Sequence, residues 1–560
     1  NKLVYAVTGR TAAQLIVERA DSNAPHMGLT NWTGDKPRKS DAVVSKNYLL
    51  QQELEQLNRL VSMFLDFAED RAERRVETHM LDWIRQTDRF LAFNERVMDW
   101  ARLYRSTQDW IERARAAGLA AGDALVISGH KEAAFVVAML GCLSMGVTYV
   151  PVDNINPQAR LQRITALVHA RAVYDAAADA FLPGAEAPRP LAVPDLAYIM
   201  FTSGSTGDPK GVQIGRDSVA LFASWIRDCL ELKPHPAFMN QMLFSFDFSL
   251  FDLCGALALG GACVLCPRET IADPVAFVRY LADTGVQVWA STPAFVRQQF
   301  LNDDFNHAHL PQLGVFVFGA ESLTPRVAEE LWVRFPQVRI INSYGPTEAT
   351  CSTTWVEIDP TLRAAAPNPF PIGVGKPYAE VFIDDGEICM SGDHVMRGYL
   401  DRPDLDQGVL FTHHGKRAYR SGDLGDLDAE GRVTFRGRKD DQIKLNGYRI
   451  ELAEVDASLS TLDGVVAGAA VVLRRPDGTL VRMIGFVELS QPGEGAVQPL
   501  PASLQDWKAQ LGRRVPPYMI PSELIAVDAL PTGTSNKVDR RQLEQRYAMA
   551  RTLRRQEPTA

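Results

Sequence analysis

The sequence predicts an α/β protein whose sheets are largely parallel, and two observations support this fold class. From about residue 97, helical patterns alternate with short β-branched runs over roughly 300 residues. Several of these runs end in polar turns that contain glycine, where α/β folds keep their ligands. The length of 560 residues suggests about three or four domains.

Four parts are expected along the chain. Residues 1–96 show helical spacing of apolar residues and no catalytic cluster, which is typical of a helical appendage. Residues 97–439 carry the helix–strand alternation of mixed parallel sheets, and near their end the pattern shortens into hairpins of a small β subdomain. The charged connector GRKDDQIKLNGYRIE contains the next boundary. Residues 440–545 are expected to form a small α+β C-terminal lid, and residues 546–560 are expected to form a tail.

Strands of the α/β part are predicted where β-branched and aromatic residues cluster. The candidate runs are ALVISG, YVPVD, AVYDA, AYIMFTSG, FMNQMLFS, ACVLCP, VQVWAST, VFVFGA and VRIINSYG. Helical spacing in the appendage is carried by Leu50, Leu54, Leu57, Val61, Phe64 and Leu65.

Composition excludes some classes of protein. The formal net charge of −9 argues against a general nucleic-acid binder. We expect no membrane span, because no run of about 18 apolar residues occurs. Seven scattered cysteines without a secretory signal predict a cytoplasmic location.

The stretch YIMFTSGSTGDPKGVQI, residues 198–214, joins a buried strand to a turn rich in glycine and hydroxyl groups. Such turns let backbone amides wrap phosphate oxygens. The spacing differs from the P-loop pattern, since Lys210 follows Pro209 and precedes Gly211. We therefore predict phosphate contact without a P-loop ATPase.

Two further loops point to a nucleotide. NSYGPTEAT, residues 342–350, offers Tyr344 as a stacking ring and Glu348 as a carboxylate for Mg²⁺. YRSGDLG, residues 419–425, places Asp423 in a tight turn, where a carboxylate can accept two ribose hydroxyls. Taken singly, each residue fits a structural role equally well, as a buried tyrosine, a helix cap or a turn aspartate.

The order of the motifs is more specific than any one of them. FTSGSTGDPKG, FDFSLFDL, NSYGPTEAT, YRSGDLG, GRKDDQIKLNGYRIE, VPPYMIP and TSNKVDR resemble the adenylate-forming ligase superfamily, over residues 97–545. Within it, the chain is similar to amino-acid adenylation domains of nonribosomal peptide synthetases and most similar to stand-alone D-alanine–carrier-protein ligases. NAPHMGLTNWTGDKPRKSDAVVSKNYL, in the appendage, resembles the C-terminal part of the virulence-protein RhuM family, which implies no activity.

The adenylation resemblance implies two half-reactions. An amino-acid carboxylate attacks the α-phosphate of MgATP, which gives aminoacyl-AMP and pyrophosphate. The phosphopantetheine thiol of a carrier protein then displaces AMP and forms a thioester. Charge neutralisation and in-line positioning are what such an enzyme must supply.

Roles follow from the resemblance, residue by residue. Lys537 bridges the substrate carboxylate and ATP, Thr347 contacts the α-phosphate, and Glu348 holds Mg²⁺. Asp440 is the hinge of the lid. Nucleotide-binding positions are Thr202, Ser203, Gly204, Ser205, Thr206, Gly207, Lys210, Gly319, Ala320, Glu321, Asn342, Tyr344, Gly345, Asp423 and Arg438.

The same resemblance assigns the amino-acid pocket. Asp247 pairs with the α-ammonium group, which is physically sensible because a buried carboxylate needs a cation. The other lining positions are Phe248, Phe251, Ala290, Val317, Gly319, Ser343, Cys351 and Ser352. Gly319 stands where D-alanine ligases carry a cysteine, so extra room is expected there and D-alanine itself is not fixed. The pocket predicts a neutral amino acid of small to medium size.

Two other functions stay open. An acyl- or aryl-CoA ligase of the same superfamily is one, although Asp247 argues against it. The other is an inactive fusion that acts as an interaction module, because the RhuM-like piece stands where about 25 residues of an adenylation domain are normally found.

Overall fold

The computed structural model describes residues 12–22, 24–31, 36–39, 41–50, 53–54, 57–58, 61, 98–203, 209–445, 447–475, 480–489, 500–531 and 538–556. The chain divides into two compact units, Asn1–Tyr104 and Arg105–Ala560. Among the described helices, none combines the length and the apolarity that a bilayer crossing requires.

The first unit contains one α-helix among its described elements and a small apolar cluster. Its elements are helix α1 (Ala12–Arg19) and the 3₁₀ turns Pro25–Gly28, Asp41–Val43 and Ser45–Tyr48. Leu54, Leu57 and Val61 pack in the cluster, as their helical spacing predicts. Leu50 instead is 55% exposed, and Phe64 and Leu65 lie outside the described residues.

The second unit begins with a six-stranded sheet. Its strands are β1 (Ala124–Gly129), β2 (Thr148–Asp153), β3 (Ala172–Asp175), β4 (Ala180–Pro183), β5 (Leu196–Thr202) and β6 (Lys210–Gly215). The order is β4-β3-β1-β2-β5-β6; β4 and β6 pair antiparallel with their neighbours, and the other pairs are parallel. The accompanying helices are α2 (Trp100–Ala116), α3 (Ala133–Met145) and α4 (Gln158–Leu167).

A seven-stranded sheet follows. Its strands are β7 (Ala237–Asn240), β8 (Ala262–Leu265), β9 (Val288–Ser291), β10 (Val315–Phe318), β11 (Arg339–Tyr344), β12 (Thr354–Glu357) and β13 (Val374–Gly375). The order is β13-β12-β11-β10-β9-β7-β8, parallel from β11 to β8. The helices here are α5 (Arg216–Cys229), α6 (Ser249–Leu259), α7 (Arg268–Ala272), α8 (Pro274–Thr284), α9 (Pro293–Gln299), α10 (Pro325–Arg334) and α11 (Pro360–Ala365).

Antiparallel strands then form the small β subdomain, and mixed elements form the C-terminal part. The small sheet consists of β14 (Glu380–Asp384), β15 (Glu387–Ser391), β16 (Leu410–His413), β17 (Lys416–Leu427) and β18 (Val433–Arg438), with helix α12 (Pro403–Val409). The C-terminal elements are β19 (Gln442–Leu445), β20 (Tyr448–Glu451), α13 (Leu452–Leu459), β21 (Val465–Arg474), β22 (Leu480–Leu489), α14 (Leu500–Gly512), β23 (Glu523–Val527) and α15 (Arg540–Gln556).

The predicted fold class is confirmed, and all nine strand candidates contain a strand. FMNQMLFS is the least accurate of them, since β7 ends at Asn240 and a loop follows. The four-part division of the chain stays a prediction. Its last boundary falls inside α15, whose Leu543 and Tyr547 pack on β21 and β22, so the helix extends past residue 545 into the expected tail.

Candidate functional site

A cavity opens where several strands of the seven-stranded sheet end. Loops after β7, β10 and β11 form most of its wall, which is the expected place for a ligand in an α/β fold. The hairpin β19–β20, residues 442–451 and called here the lid hairpin, closes the cavity from the C-terminal part. The lining residues are Met242, Phe246, Asp247, Phe248, Gly319, Ala320, Ser343, Gly345, Pro346, Thr347, Cys351, Ser352, Asp423, Arg438, Gln442, Lys444, Gly447 and Arg449.

Half of the described residues that were predicted for the site therefore meet in one cavity, although they are up to about 190 positions apart. The other described residues of the predicted set do not line it: Thr202, Ser203, Lys210, Phe251, Ala290, Val317, Glu321, Asn342, Tyr344, Glu348 and Asp440. Phe251, Ala290 and Val317 are fully buried and do not line the cavity, and their contact with substrate stays a prediction. Gly204, Ser205, Thr206, Gly207 and Lys537 lie outside the described residues.

Asp247 precedes helix α6 and presents a carboxylate to the cavity. One oxygen, Oδ2, is buried and has no hydrogen-bond partner in the part of the chain that the structure describes. Burial raises the pKa of Asp247 to about 6, against the opposing effect of the Thr347 hydroxyl. A carboxylate left in this state favours a bound cation, because an unpaired buried charge is costly.

Tyr344, Asp423, Arg438 and Asp440 form a continuous hydrogen-bonded chain. The Tyr344 hydroxyl donates to Oδ2 of Asp423, and Arg438 donates to Oδ1 of the same carboxylate. Arg438 also donates two bonds to Asp440, at 2.6 and 2.8 Å. The predicted ribose acceptor and the predicted hinge are thus joined through one guanidinium.

Glu348 is fully buried, and its two oxygens have different partners. Tyr399 donates its hydroxyl to Oε1 at 2.7 Å, and Arg449 donates to Oε2 at 2.6 Å. Burial opposes ionisation, but the Arg449 guanidinium prevails and lowers the pKa of Glu348 to about 2. Glu348 is therefore an ionised hard-oxygen donor, which suits Mg²⁺.

The turn after β5, residues 202–210, is the predicted phosphate-binding loop. Its described ends contact the lid hairpin. Ser203 Oγ donates to the carbonyl of Arg449 at 3.1 Å and accepts from the amide of Glu451 at 3.0 Å. Lys210 Nζ lies 3.4 Å from Oε1 of Glu451. Lys210 is thus a loop anchor here, paired with a carboxylate.

Docking of the lid hairpin depends on Gly447, which has a left-handed φ of 83°. Its amide donates to Oε1 of Glu321 at 2.7 Å, and a Cβ added there would lie 2.6 Å from Cγ2 of Thr292. Only glycine satisfies both the conformation and the close approach.

Sequence reasoning missed Lys444 and Arg449, because it treated residues 437–451 as a connector. They lie directly opposite each other in the antiparallel pair β19–β20, which places both on one face. Lys444 Nζ lies 5.4 Å from the centroid of the Tyr344 ring. The Asn446–Gly447 dipeptide lies between two runs in which apolar and polar residues alternate, and this pattern is typical of a β-hairpin.

Gly319 does not provide the extra room that its small size predicted. A Cβ at this position would lie 2.8 Å from Cζ of Phe248, so the phenyl ring already covers the glycine. Phe248 is 6% exposed and fills the space that a longer side chain at residue 319 would take. The pocket is therefore small on this side, which is the opposite of the expectation.

Comparison with known proteins gives two family matches. The model of the AMP-binding enzyme family matches residues 73–189 and 174–400, and the model of the virulence protein RhuM family matches residues 1–106. The two matches overlap between residues 73 and 106.

Relatives and solved structures agree with the first match. A D-alanine–D-alanyl carrier protein ligase of Lacticaseibacillus rhamnosus is 33% identical over 469 residues, which cover 76% of this chain and 90% of the relative. The ligase of the same description from Bacillus licheniformis is 31% identical over 81% of this chain and 96% of its own length. Holo-PA1221, an NRPS protein with adenylation and PCP domains, superposes with a TM-score of 0.65 at 25% identity, over 80% of each chain.

Proposed function

The chain belongs to the AMP-binding enzyme family, and from this premise we propose its reaction and substrate. It is an AMP-forming ligase that activates an amino acid with ATP and transfers it to a carrier protein. The amino acid is small and neutral, with D-alanine as the first candidate because relatives over 30% identical act on it. The thioester forms on the phosphopantetheine thiol of the carrier.

The unpartnered oxygen of Asp247 in the cavity wall carries this proposal. An α-ammonium group is the cation that an amino acid offers to it, and the pair would offset the cost of burying the carboxylate. Phe248 over Gly319 leaves little space for a long side chain. Besides Asp247, the described lining of the cavity contains the carboxylate of Asp423, which is paired with Arg438 and is assigned here to the ribose, so it is not left for a basic side chain.

Nucleotide contacts are proposed for the remaining residues. Asp423 accepts the ribose hydroxyls, Thr347 contacts the α-phosphate, and Thr202–Gly207 hold the departing pyrophosphate. Glu348 would hold Mg²⁺, which when bound neutralises phosphate charge. Tyr344 stacks on adenine, near Gly319, Ala320 and Glu321.

Two half-reactions need two positions of the lid hairpin. Arg449 bonds Glu348, so the hairpin would have to withdraw before Mg²⁺ takes this place for adenylation. Rotation about Asp440 would bring Lys537 to the substrate carboxylate for adenylation. The hairpin would return once pyrophosphate and Mg²⁺ have left, and the carrier thiol would then displace AMP.

Amino-acid-dependent exchange of labelled pyrophosphate into ATP tests the proposal. We expect exchange with D-alanine or another small neutral amino acid in a panel that contains both enantiomers. Exchange only with acids that lack an amino group would favour the acyl- or aryl-CoA ligase. A folded protein that exchanges with no acid at all would favour the interaction module.

A further inference from the structure

A strained turn forms part of the amino-acid cavity. Residues 350–352, called here the pocket turn, follow the 3₁₀ turn Thr347–Ala349, and Cys351 and Ser352 line the cavity. Thr350 and Cys351 have consecutive left-handed φ angles of 54° and 67°. A left-handed backbone conformation is unfavourable for residues other than glycine, above all for the β-branched threonine. It persists only where the surrounding structure imposes it.

Four hydrogen bonds between Lys376 or His394 and the turn with its neighbour Thr353 impose this conformation. Lys376 Nζ donates to the Ser352 carbonyl at 2.7 Å and to the Ser352 hydroxyl at 2.6 Å. The backbone amide of Lys376 donates to the Thr353 carbonyl at 2.9 Å. On the other side, the Thr350 hydroxyl donates to the His394 carbonyl at 2.6 Å.

Lys376 itself is an unusual residue for a protein interior. Its side chain is 1% exposed, and no carboxylate forms an ion pair with it among the described residues. Its Nζ lies 3.4 Å from the ring centroid of Trp225 and 4.5 Å from that of Phe222, and these aromatic faces favour a cation, whereas burial lowers the pKa of Lys376 well below its ordinary value. An apolar residue would cost less free energy at this buried position, so the presence of a lysine indicates a specific role.

We propose that Lys376 is a positioning residue for substrate selection: it holds the pocket turn in its strained form and thereby fixes the wall that meets the amino-acid side chain. Lys376 does not line the cavity and acts through Ser352. The inference rests on the proposed amino-acid substrate. It assigns the preference for a small side chain to the rigidity of the turn as well as to Phe248.

Lys376→Met tests the role, because it keeps the apolar stem and removes the donors. In the pyrophosphate-exchange assay we expect the KM for the preferred amino acid to rise about tenfold. The ratio of kcat/KM between the preferred amino acid and one with two more methyl groups should fall by about tenfold, and the KM for ATP should change less than twofold. An unchanged ratio, or equal losses for amino acid and ATP, would overturn the proposal.

Strain relief distinguishes positioning from simple stabilisation. Thr350→Gly relieves the strain at one of the two left-handed residues but also removes the hydroxyl that donates to the His394 carbonyl, so the double variant Lys376→Met/Thr350→Gly should regain part of the lost selectivity. If Lys376→Met is insoluble, the double variant must be soluble and selective; insolubility of both would contradict the strain argument. Arg363→Met is the matched control, since it removes a cation from the Trp332 face at 4.1 Å, outside the cavity, and should leave the ratio unchanged.

Wild-type protein in the same assay separates the two hypotheses. No exchange with any amino acid would count against the proposed function. Exchange by the wild type combined with an unaltered ratio in the variants would count against Lys376 alone.

Discussion

The guanidinium of Arg449 donates a 2.6 Å hydrogen bond to Oε2 of Glu348, so the lid hairpin neutralises a buried carboxylate of the core. This ion pair couples the position of the hairpin to the state of the predicted magnesium ligand. Glu348 is fully buried and the Arg449 side chain is 14% exposed, and the charge of each is compensated by the other, which makes the pair sensitive to removal of either partner.

The first prediction concerns acid sensitivity of that pair. Glu348 has a lowered pKa of about 2, so its contribution to stability is complete above the ordinary glutamate pKa of about 4.5 and is lost as pH falls towards 2. Denaturant unfolding should find the wild type more stable than Glu348→Gln at pH 5.5, by on the order of 3 kcal/mol. At pH 3.5 the difference should be smaller by about 1 kcal/mol. A pH-independent difference would contradict the role of Arg449.

The second prediction concerns Asp247 and substrate affinity. Its raised pKa of about 6 means that the carboxylate becomes protonated below that pH and loses its attraction for an ammonium group. The KM for the amino acid should rise about tenfold between pH 7 and pH 5, as expected for one titrating group. Asp247→Asn should raise this KM at least about a hundredfold at pH 7.5, abolish the pH dependence and spare the KM for ATP.

Stability supplies the control for the same variant. Ionising a group with a raised pKa destabilises the folded protein as pH rises from about 4 to 6, so ligand-free Asp247→Asn should be at least as stable as the wild type at pH 7. Similar increases in KM for amino acid and ATP would mean that Asp247 is structural.

The third prediction concerns Gly447, whose substitution should affect the two half-reactions differently. Gly447→Ala introduces a Cβ at 2.6 Å from Thr292 and a strained φ of 83°, which disfavours docking of the lid hairpin. Thioester formation should slow by about ten- to a hundredfold, whereas pyrophosphate exchange should change less than threefold.

Gly464 provides a matched control on the same part of the chain. Its φ is 76°, but a Cβ there would meet no atom within 4 Å. Gly464→Ala therefore carries the same kind of backbone strain without the clash, and both half-reactions should remain near wild type. If the two variants behave alike, strain rather than docking is responsible.

The fourth prediction concerns Lys537. Lys537→Ala should reduce amino-acid-dependent pyrophosphate exchange by at least about a thousandfold, because a cation that bridges carboxylate and phosphate acts mainly in the transition state. Thioester formation from supplied aminoacyl-AMP should largely persist. Lys508→Ala, on a lysine that contacts the Ser522 carbonyl, is the control. Near-normal exchange in Lys537→Ala would reject the assignment.

Local sequence was sufficient for much of the fold. Strands such as Ala124–Gly129 and Val315–Phe318 were readable because β-branched residues cluster between turn residues. The polar turns after β10 and β11 predicted where Gly319 and Thr347 would meet, since parallel strands bring their carboxyl ends to one edge. Asp247 was named from the family resemblance, and its place as a carboxylate in an aromatic stretch made that assignment physically sensible.

Tertiary structure alone decided how the wall of the cavity is built. Phe248 covers Gly319, and Lys376 holds the pocket turn through Ser352, across separations of 71 and 24 residues. The Asn446–Gly447 dipeptide indicates the turn of the lid hairpin, but the sequence does not show that Lys444 and Arg449 of this hairpin enter the site. The sequence by itself determined the elements and the chemical groups at strand ends, because these depend on neighbours along the chain. Which groups pair was decided by packing between distant segments, where shape and burial, rather than local pattern, select the partner.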